Sequence, residues 1–286
     1  MSLAVVHTRA KVGIEAPLVT VEVHLSNGLP GLTMVGLPET AVKESRDRVR
    51  SAILNAHFEF PQRRITVNLA PADLPKEGGR FDLAIALGIL VASGQVPGKD
   101  LETCEVLGEL ALTGELRPVQ GALPASMAAI ECQRVLVVPL QNTEEACLPD
   151  QAQVYGAGHL LDVCAHLSGQ QRLSLYEKQQ TSSALPDADL MDISDVKGQQ
   201  AAKRALEVAA AGRHNLLFYG PPGTGKTLLA SRLPGILPTM SDQEMLEVAA
   251  VYSISGQHQH HYRLRPFRAP HHTASGVALV GGGCEI

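Results

Sequence analysis

Gly220-Pro221-Pro222-Gly223-Thr224-Gly225-Lys226-Thr227 is the stretch on which the reading of this chain turns. It follows the phosphate-loop spacing of Gly, four residues, Gly, Lys and then Ser or Thr. Its flanks agree. The apolar run Asn215 to Tyr219 predicts a buried strand, and Leu228 to Leu233 predicts the helix that follows. Glycines let the backbone curl so that several N–H groups point into one cavity, and the start of a helix adds positive partial charge. In such a loop Lys226 reaches the β- and γ-phosphates and the Thr227 hydroxyl binds Mg²⁺. The expected cofactors are therefore ATP and Mg²⁺, held by Gly220, Pro221, Pro222, Gly223, Thr224, Gly225, Lys226 and Thr227. A chance Gly/Pro turn before a lysine would not account for the strand and helix on either side.

With 286 residues the chain is long enough for two domains. Apolar residues make up 45% and charged residues 19%, which describes a globular protein, and the net charge of −5 supplies no global attraction for nucleic acid. Any such contact must be local. Cys104, Cys132, Cys147, Cys164 and Cys284 form no C-x-x-C pair, which predicts reduced thiols and a cytoplasmic location. The N-terminus lacks a basic segment followed by an apolar core, so no signal peptide is read. The longest apolar stretch, Leu83 to Ala92, is interrupted by Gly88 and is too short to span a membrane.

Upstream of the loop, strands and helices mix. Val19, Val21, Val23 and Leu25 alternate with polar residues, as do Ile65, Val67 and Leu69. Pro38 opens a helix with Val42, Val49, Ile53 and Ala56 on one stripe; Arg46, Arg48 and Arg50 read as its solvated face or as a binding patch. Asp82 to Ser93 reads as a buried helix closed by Gly94. Thr113-Gly114-Glu115 predicts a hairpin turn joining strands near Val106-Leu107 and Leu116. Ala122 to Glu131 and His159 to Leu167 read as helices, with a buried strand at Val135 to Val138. The expected layout is an α/β or α+β domain over 1–168, a polar Gln- and Ser-containing linker over 169–190, and a second α/β domain over 191–286. Gln200 to Ala211 should be a helix leading into the phosphate loop.

Two segments of the first domain resemble the proteolytic domain of Lon-type ATP-dependent proteases, an α+β fold of the ribosomal S5 domain 2 type. Leu74-Pro75-Lys76-Glu77-Gly78-Gly79-Arg80-Phe81-Asp82 resembles the segment bearing the nucleophilic serine. Gly108 to Pro124, with Thr113-Gly114-Glu115-Leu116-Arg117-Pro118 at its centre, resembles the segment bearing the partner lysine. Here Arg80 stands at the serine position and Pro124 at the lysine position. A Ser–Lys dyad needs a hydroxyl and an amine that accepts its proton, and neither residue supplies one. The expectation is a scaffold or partner-binding domain, not a peptidase.

A Lon-like domain ahead of an AAA+ module resembles the magnesium-chelatase-like ATPases of the ComM/YifB type. Asp195-Val196-Lys197-Gly198-Gln199, Arg265-Pro266-Phe267-Arg268-Ala269-Pro270-His271-His272 and Gly31-Leu32-Thr33-Met34-Val35-Gly36-Leu37-Pro38 resemble that family's segments. The resemblance implies a homo-oligomeric, hexameric ring and, for the ComM branch, a DNA helicase that drives branch migration in natural transformation. After Gly283 the sequence reads Cys284-Glu285-Ile286, without the Asp-Glu strand, sensors, arginine finger or helical lid of an AAA+ domain. The expectation is a truncated chain that binds ATP, hydrolyses it poorly and holds no catalytic residue of its own.

Arg263, Arg265 and Arg268 around Phe267 combine cations for phosphates with a ring able to stack on a base, a candidate DNA contact. The competing reading is a hairpin whose arginines pair within the domain. His258, His260, His261, His271 and His272 read either as metal ligands or as a solvated loop. Three functions compete: a DNA-processing ATPase, a non-catalytic adaptor acting through the Lon-like domain, and a chelatase subunit.

Overall fold

Alternating burial builds the sheet. Leu3–Arg9 (β1) and Leu18–Ser26 (β2) pair antiparallel, with Val6 opposite Val21, so that Val6, Val19, Val21 and Val23 share the buried face. Gly31–Val35 (β3) runs parallel to Arg64–Ala70 (β4), which pairs antiparallel with β2, Val67 lying opposite Val23. Cys104–Val106 (β5), Val135–Pro139 (β8) and Val154–Ala157 (β9) continue the sheet in parallel beyond β1. The resulting order is β3-β4-β2-β1-β5-β8-β9. Glu109–Leu110 (β6) and Leu116–Arg117 (β7) form a separate two-stranded hairpin. The Thr113–Glu115 turn thus closes a hairpin whose first strand is β6; the expected first strand near Val106-Leu107 belongs to the large sheet.

The computed structural model describes residues 3–36, 39–76, 78–178, 191–257, 263–271 and 273–277. They fall into two units, Met1–Thr181 with Ala249–Gln259, and Ser182–Val248 with His260–Ile286. In the first unit the sheet is flanked by Glu39–Asn55 (α1), Asp82–Ala92 (α2), Ala122–Glu131 (α3), the short Thr143–Ala146 (α4) and Leu160–Leu167 (α5). Apolar on almost every side, α2 is buried along nearly its whole length against β1 and β2. It comes so close that a Cβ on Gly88 would meet Val23 Cγ2 at 2.5 Å.

Two buried charge clusters cross this core. Arg9 Nε and Nη2 donate to Glu105 Oε2 and Oε1 at 2.6 and 2.7 Å, and Arg134 Nη1 reaches Oε1 at 3.3 Å. Arg48 Nε donates to Asp82 Oδ2 at 2.7 Å while the Ser45 hydroxyl donates to Oδ1 at 2.7 Å. Cys104, Cys147 and Cys164 are buried free thiols and Cys132 is exposed.

The polar tract beginning at Gly169 stays on the first unit as far as it is described. Leu173 packs on its core, Tyr176 N–H donates to Val154 O at 2.9 Å, and Lys178 Nζ to Leu148 O at 2.9 Å. Residues 179–190 of the expected linker lie outside the described residues.

Among the described residues four α-helices mark the second unit: Gln200–Gly212 (α6), Lys226–Ala230 (α7), Leu233–Ile236 (α8) and the first turns of Asp242–Ser255 (α9). Val196, Leu206 and Leu229 form its core, with Ile193, Ala202, Phe218, Leu233 and Ile236 around them. The expected strand at Asn215 to Tyr219 is absent. That run takes no regular secondary structure, with Leu217 86% and Tyr219 93% exposed. A strand needs a neighbouring ladder for its N–H and C=O groups, and the described residues of this unit supply none. The chain as a whole is mixed α/β, with the sheet in the first unit. Among the described residues no helix is long and apolar enough to cross a membrane.

Candidate phosphate-binding loop

The loop closes through its own polar groups. Gly223 and Gly225 take φ of +81° and +85°, a left-handed conformation that a side chain makes costly, and Gly225 caps α7. No described hydrogen bond engages the N–H groups of Gly225, Lys226 and Thr227, which head α7 as first-turn amides without intrahelical acceptors. The Thr224 hydroxyl donates to Pro221 O at 3.0 Å. Lys226 Nζ donates to Gly220 O at 2.9 Å and Pro221 O at 2.7 Å, and lies 3.4 Å from Thr224 Oγ1. The ammonium therefore spans the loop from its last turn to its first. Thr227 is exposed at the start of α7.

These residues fit a polyphosphate. Amide donors, an ammonium and hydroxyls lie within eight residues that contain no carboxylate, and a phosphate oxygen can replace the carbonyls that now hold Lys226. Thr227 offers one hydroxyl toward a divalent cation. The flanking helix is shorter than the sequence predicts, ending at Ala230; Ser231 and Arg232 turn into α8. Leu229 anchors α7 in the small core.

The arginine cluster separates into paired groups. Arg263 Nη2 lies 3.1 Å from Asp242 Oδ1, and Arg265 donates to Pro238 O at 2.7 Å and Glu244 Oε2 at 3.2 Å. Arg213 shares Glu244 at 3.4 Å, and the Ser241 N–H and Arg265 hold its carboxyl below the usual range. Phe267 is half exposed. The pairing partners sit more than twenty residues away, a distance at which sequence spacing gives no signal. Of the histidines, His271 Nδ1 lies 2.8 Å from Thr273 Oγ1, while His258, His260, His261 and His272 lie outside the described residues. No group of metal-ligating side chains occurs among the described residues.

In the first unit Arg80 and Pro124 are both buried, Pro124 within α3. Neither side chain provides a nucleophile or a proton acceptor. The loop containing Arg80 also buries Lys76, which sequence reasoning passed over because lysines are rarely found inside.

The chain matches the family model described as subunit ChlI of Mg-chelatase over residues 21–142, and the magnesium chelatase, subunit ChlI model over residues 192–286. It is 57% identical over 287 aligned residues to the competence protein ComM of Haemophilus influenzae, covering 99% of this chain and 56% of that protein. It is 54% identical to the YifB protein of Escherichia coli, with 99% and 56% covered. The chain thus spans about half the length of these curated relatives. A shorter similarity, 32% over 78 residues and 27% of this chain, links it to 8% of the archaeal Lon protease of Pyrococcus abyssi.

Proposed function

We propose a function for a member of a known family: this chain belongs to the magnesium-chelatase-like family of ComM and YifB, and its Gly220–Thr227 loop binds a nucleoside triphosphate with Mg²⁺. One observation carries the proposal: Lys226 Nζ reaches back to the Gly220 and Pro221 carbonyls of a loop turned by Gly223 and Gly225, beside first-turn α7 amides that make no described hydrogen bond. Lys226 neutralises phosphate charge, the amides orient the phosphate oxygens, and Thr227 holds the cation. The bound Mg²⁺ would supply charge neutralisation across the β- and γ-phosphates.

For the whole protein the proposal extends to a ring-forming AAA+ ATPase, built from copies of the same subunit, that acts on DNA; the family membership supports this. Arg263 and Arg265 take acidic partners inside their own unit, which favours an internal role for them and leaves Phe267 as the more accessible element of that segment. We further propose that residues 1–168 have the Lon-like fold without its chemistry. Buried Arg80 and Pro124, together with the similarity to an archaeal Lon protease, support that reading.

The test is Mg²⁺-dependent binding of ATP to the intact chain and to Lys226→Ala. Losing charge-assisted bonds to phosphate is expected to weaken binding about 10- to 100-fold. Equal affinity for both forms would sink the proposal.

A further inference from the structure

One end of the seven-stranded sheet is β9, and a returning segment covers its outer edge. After α5 the chain reverses at Gly169, whose φ is +70°. It then comes back to the sheet: Leu175 bridges Tyr155 in the antiparallel sense, and the Tyr176 N–H donates to Val154 O at 2.9 Å. Leu173 packs on the main core of the unit and Tyr176 on the smaller one. Residues 170–176 thus act as a strap over ladder groups that an open edge would offer to another strand.

One side chain fastens the middle of the strap. His166, in the last turn of α5, accepts the Leu173 N–H at Nδ1, at 2.9 Å. A ring nitrogen accepts only while it carries no proton, so closure of the strap requires the neutral imidazole with its hydrogen on Nε2. Adding a proton turns Nδ1 into a donor that faces another donor. Partly buried, the ring packs against Tyr155 at 4.9 Å between centroids. Burial pulls its pKa below the ordinary 6.5; the Asp100 carboxylate opposes that fall and Arg172, on the strap itself, adds to it. The carbonyl end of α5 also favours the charged ring, more weakly than burial disfavours it.

We propose that residues 170–176 form a proton-released strap: neutral His166 latches it over β9, and the imidazolium lets it go, opening that edge of the sheet to another strand. The latch is complete above pH 6.5 and is lost as pH falls through the lower value of the folded state. Lys178, which donates to Leu148 O and Asp150 Oδ1 at 2.9 Å, keeps the far end attached, so the opening is local. The device is independent of the nucleotide loop.

The experiment uses the full ¹⁵N-labelled chain and follows amide exchange at Leu173 and Tyr176, corrected for intrinsic rates, from about pH 7.5 to about pH 5. His166→Asn is the comparison, because its Oδ1 stands in for Nδ1 as an acceptor and does not titrate. In the unsubstituted chain, protection at both amides is expected to fall at least about tenfold as the His166 ring resonances titrate, with Val21 of β2 changing less. In His166→Asn it should stay level. A fall equal in both forms, or none while the ring titrates, overturns the latch. A fall shared equally by Val21 is global unfolding and overturns the local strap. Leu173 opening while Tyr176 stays protected overturns the exposure of the edge. If His166→Asn does not fold, the match between ring titration and Leu173 exchange in the unsubstituted chain, set against Val21, decides alone.

Discussion

The two units handle charge in opposite ways. The first encloses two carboxylates, Glu105 and Asp82, gripped by Arg9, Arg134 and Arg48, beside exposed pairs such as Lys178–Asp150. The second keeps its pairs Arg204–Glu207, Arg213–Glu244 and Arg263–Asp242 in contact with solvent. Their cores follow suit: a sheet covered by α2 on one side of the comparison, a small cluster of Val196, Leu206 and Leu229 on the other. Burial makes a charge geometrically demanding, because removing one partner strands the other, whereas water screens an exposed pair. The first unit is therefore specified by its interior, and the second presents an exposed loop whose Lys226 and Thr224 bond to the loop's own carbonyls.

Breaking a buried pair should give the largest effect. Glu105→Ala leaves Arg9 enclosed and uncompensated, and is expected to lower the stability of the first unit by about 3–5 kcal/mol in urea unfolding. A loss below about 1 kcal/mol would place the Arg9 cluster in the class of the surface pairs.

Acidity sharpens the same contrast. Burial pushes the Asp82 carboxyl up to about 6, against the opposing pull of Arg48, Ser45 and the Leu110 N–H. The folded state thus holds this proton more tightly than the unfolded chain, whose value is 3.8. Its stabilising contribution is complete below about pH 4 and lost as pH rises through about 6, a swing of about 3 kcal/mol. In Asp82→Asn the pH profile of unfolding should flatten over that interval.

Smaller effects belong to the second unit. Gly225→Ala must adopt φ near +85° and should cost about 1–2 kcal/mol locally, seen as faster amide exchange at the start of α7. Lys226→Ala, which impairs ligand binding in the proposal above, should change stability by no more than about 0.5 kcal/mol. Arg263→Ala removes an exposed pair and is expected to shift stability by about 0.2–1 kcal/mol, less in high salt. A larger change would mean that the segment is held more firmly than its exposure implies.

Periodicity carried the reading where one face is buried. β2, β4, α2 and α3 lie where alternation and capping glycines place them, α3 with the predicted ends. β1 and β9 escaped because runs whose apolar residues alternate weakly in sequence depend on neighbours that only the fold supplies. Asn215 to Tyr219 shows the converse: a strand-like run is a strand only when a ladder lies beside it. The internal contacts of the 220–227 loop were within reach of the sequence because they are local, Lys226 and Thr224 bonding within eight residues. The acidic partners of Arg263 and Arg265 were not, since nothing in spacing announces a contact over about twenty residues. The burial of Arg80 was equally hidden, for a guanidinium is expected at the surface.

The thiols described above make a clock. Burial pushes Cys104 and Cys164 up to about 12 and Cys147 up to about 11, so none of the three offers reactive thiolate while the first unit is closed. Cys132 stands in the open. In Cys284→Ser, a thiol-specific reagent should tag Cys132 at once and then register, one sulfur at a time, each occasion on which the sheet and its helices come apart. Labelling kinetics would thereby time the opening of the first unit without reference to the second.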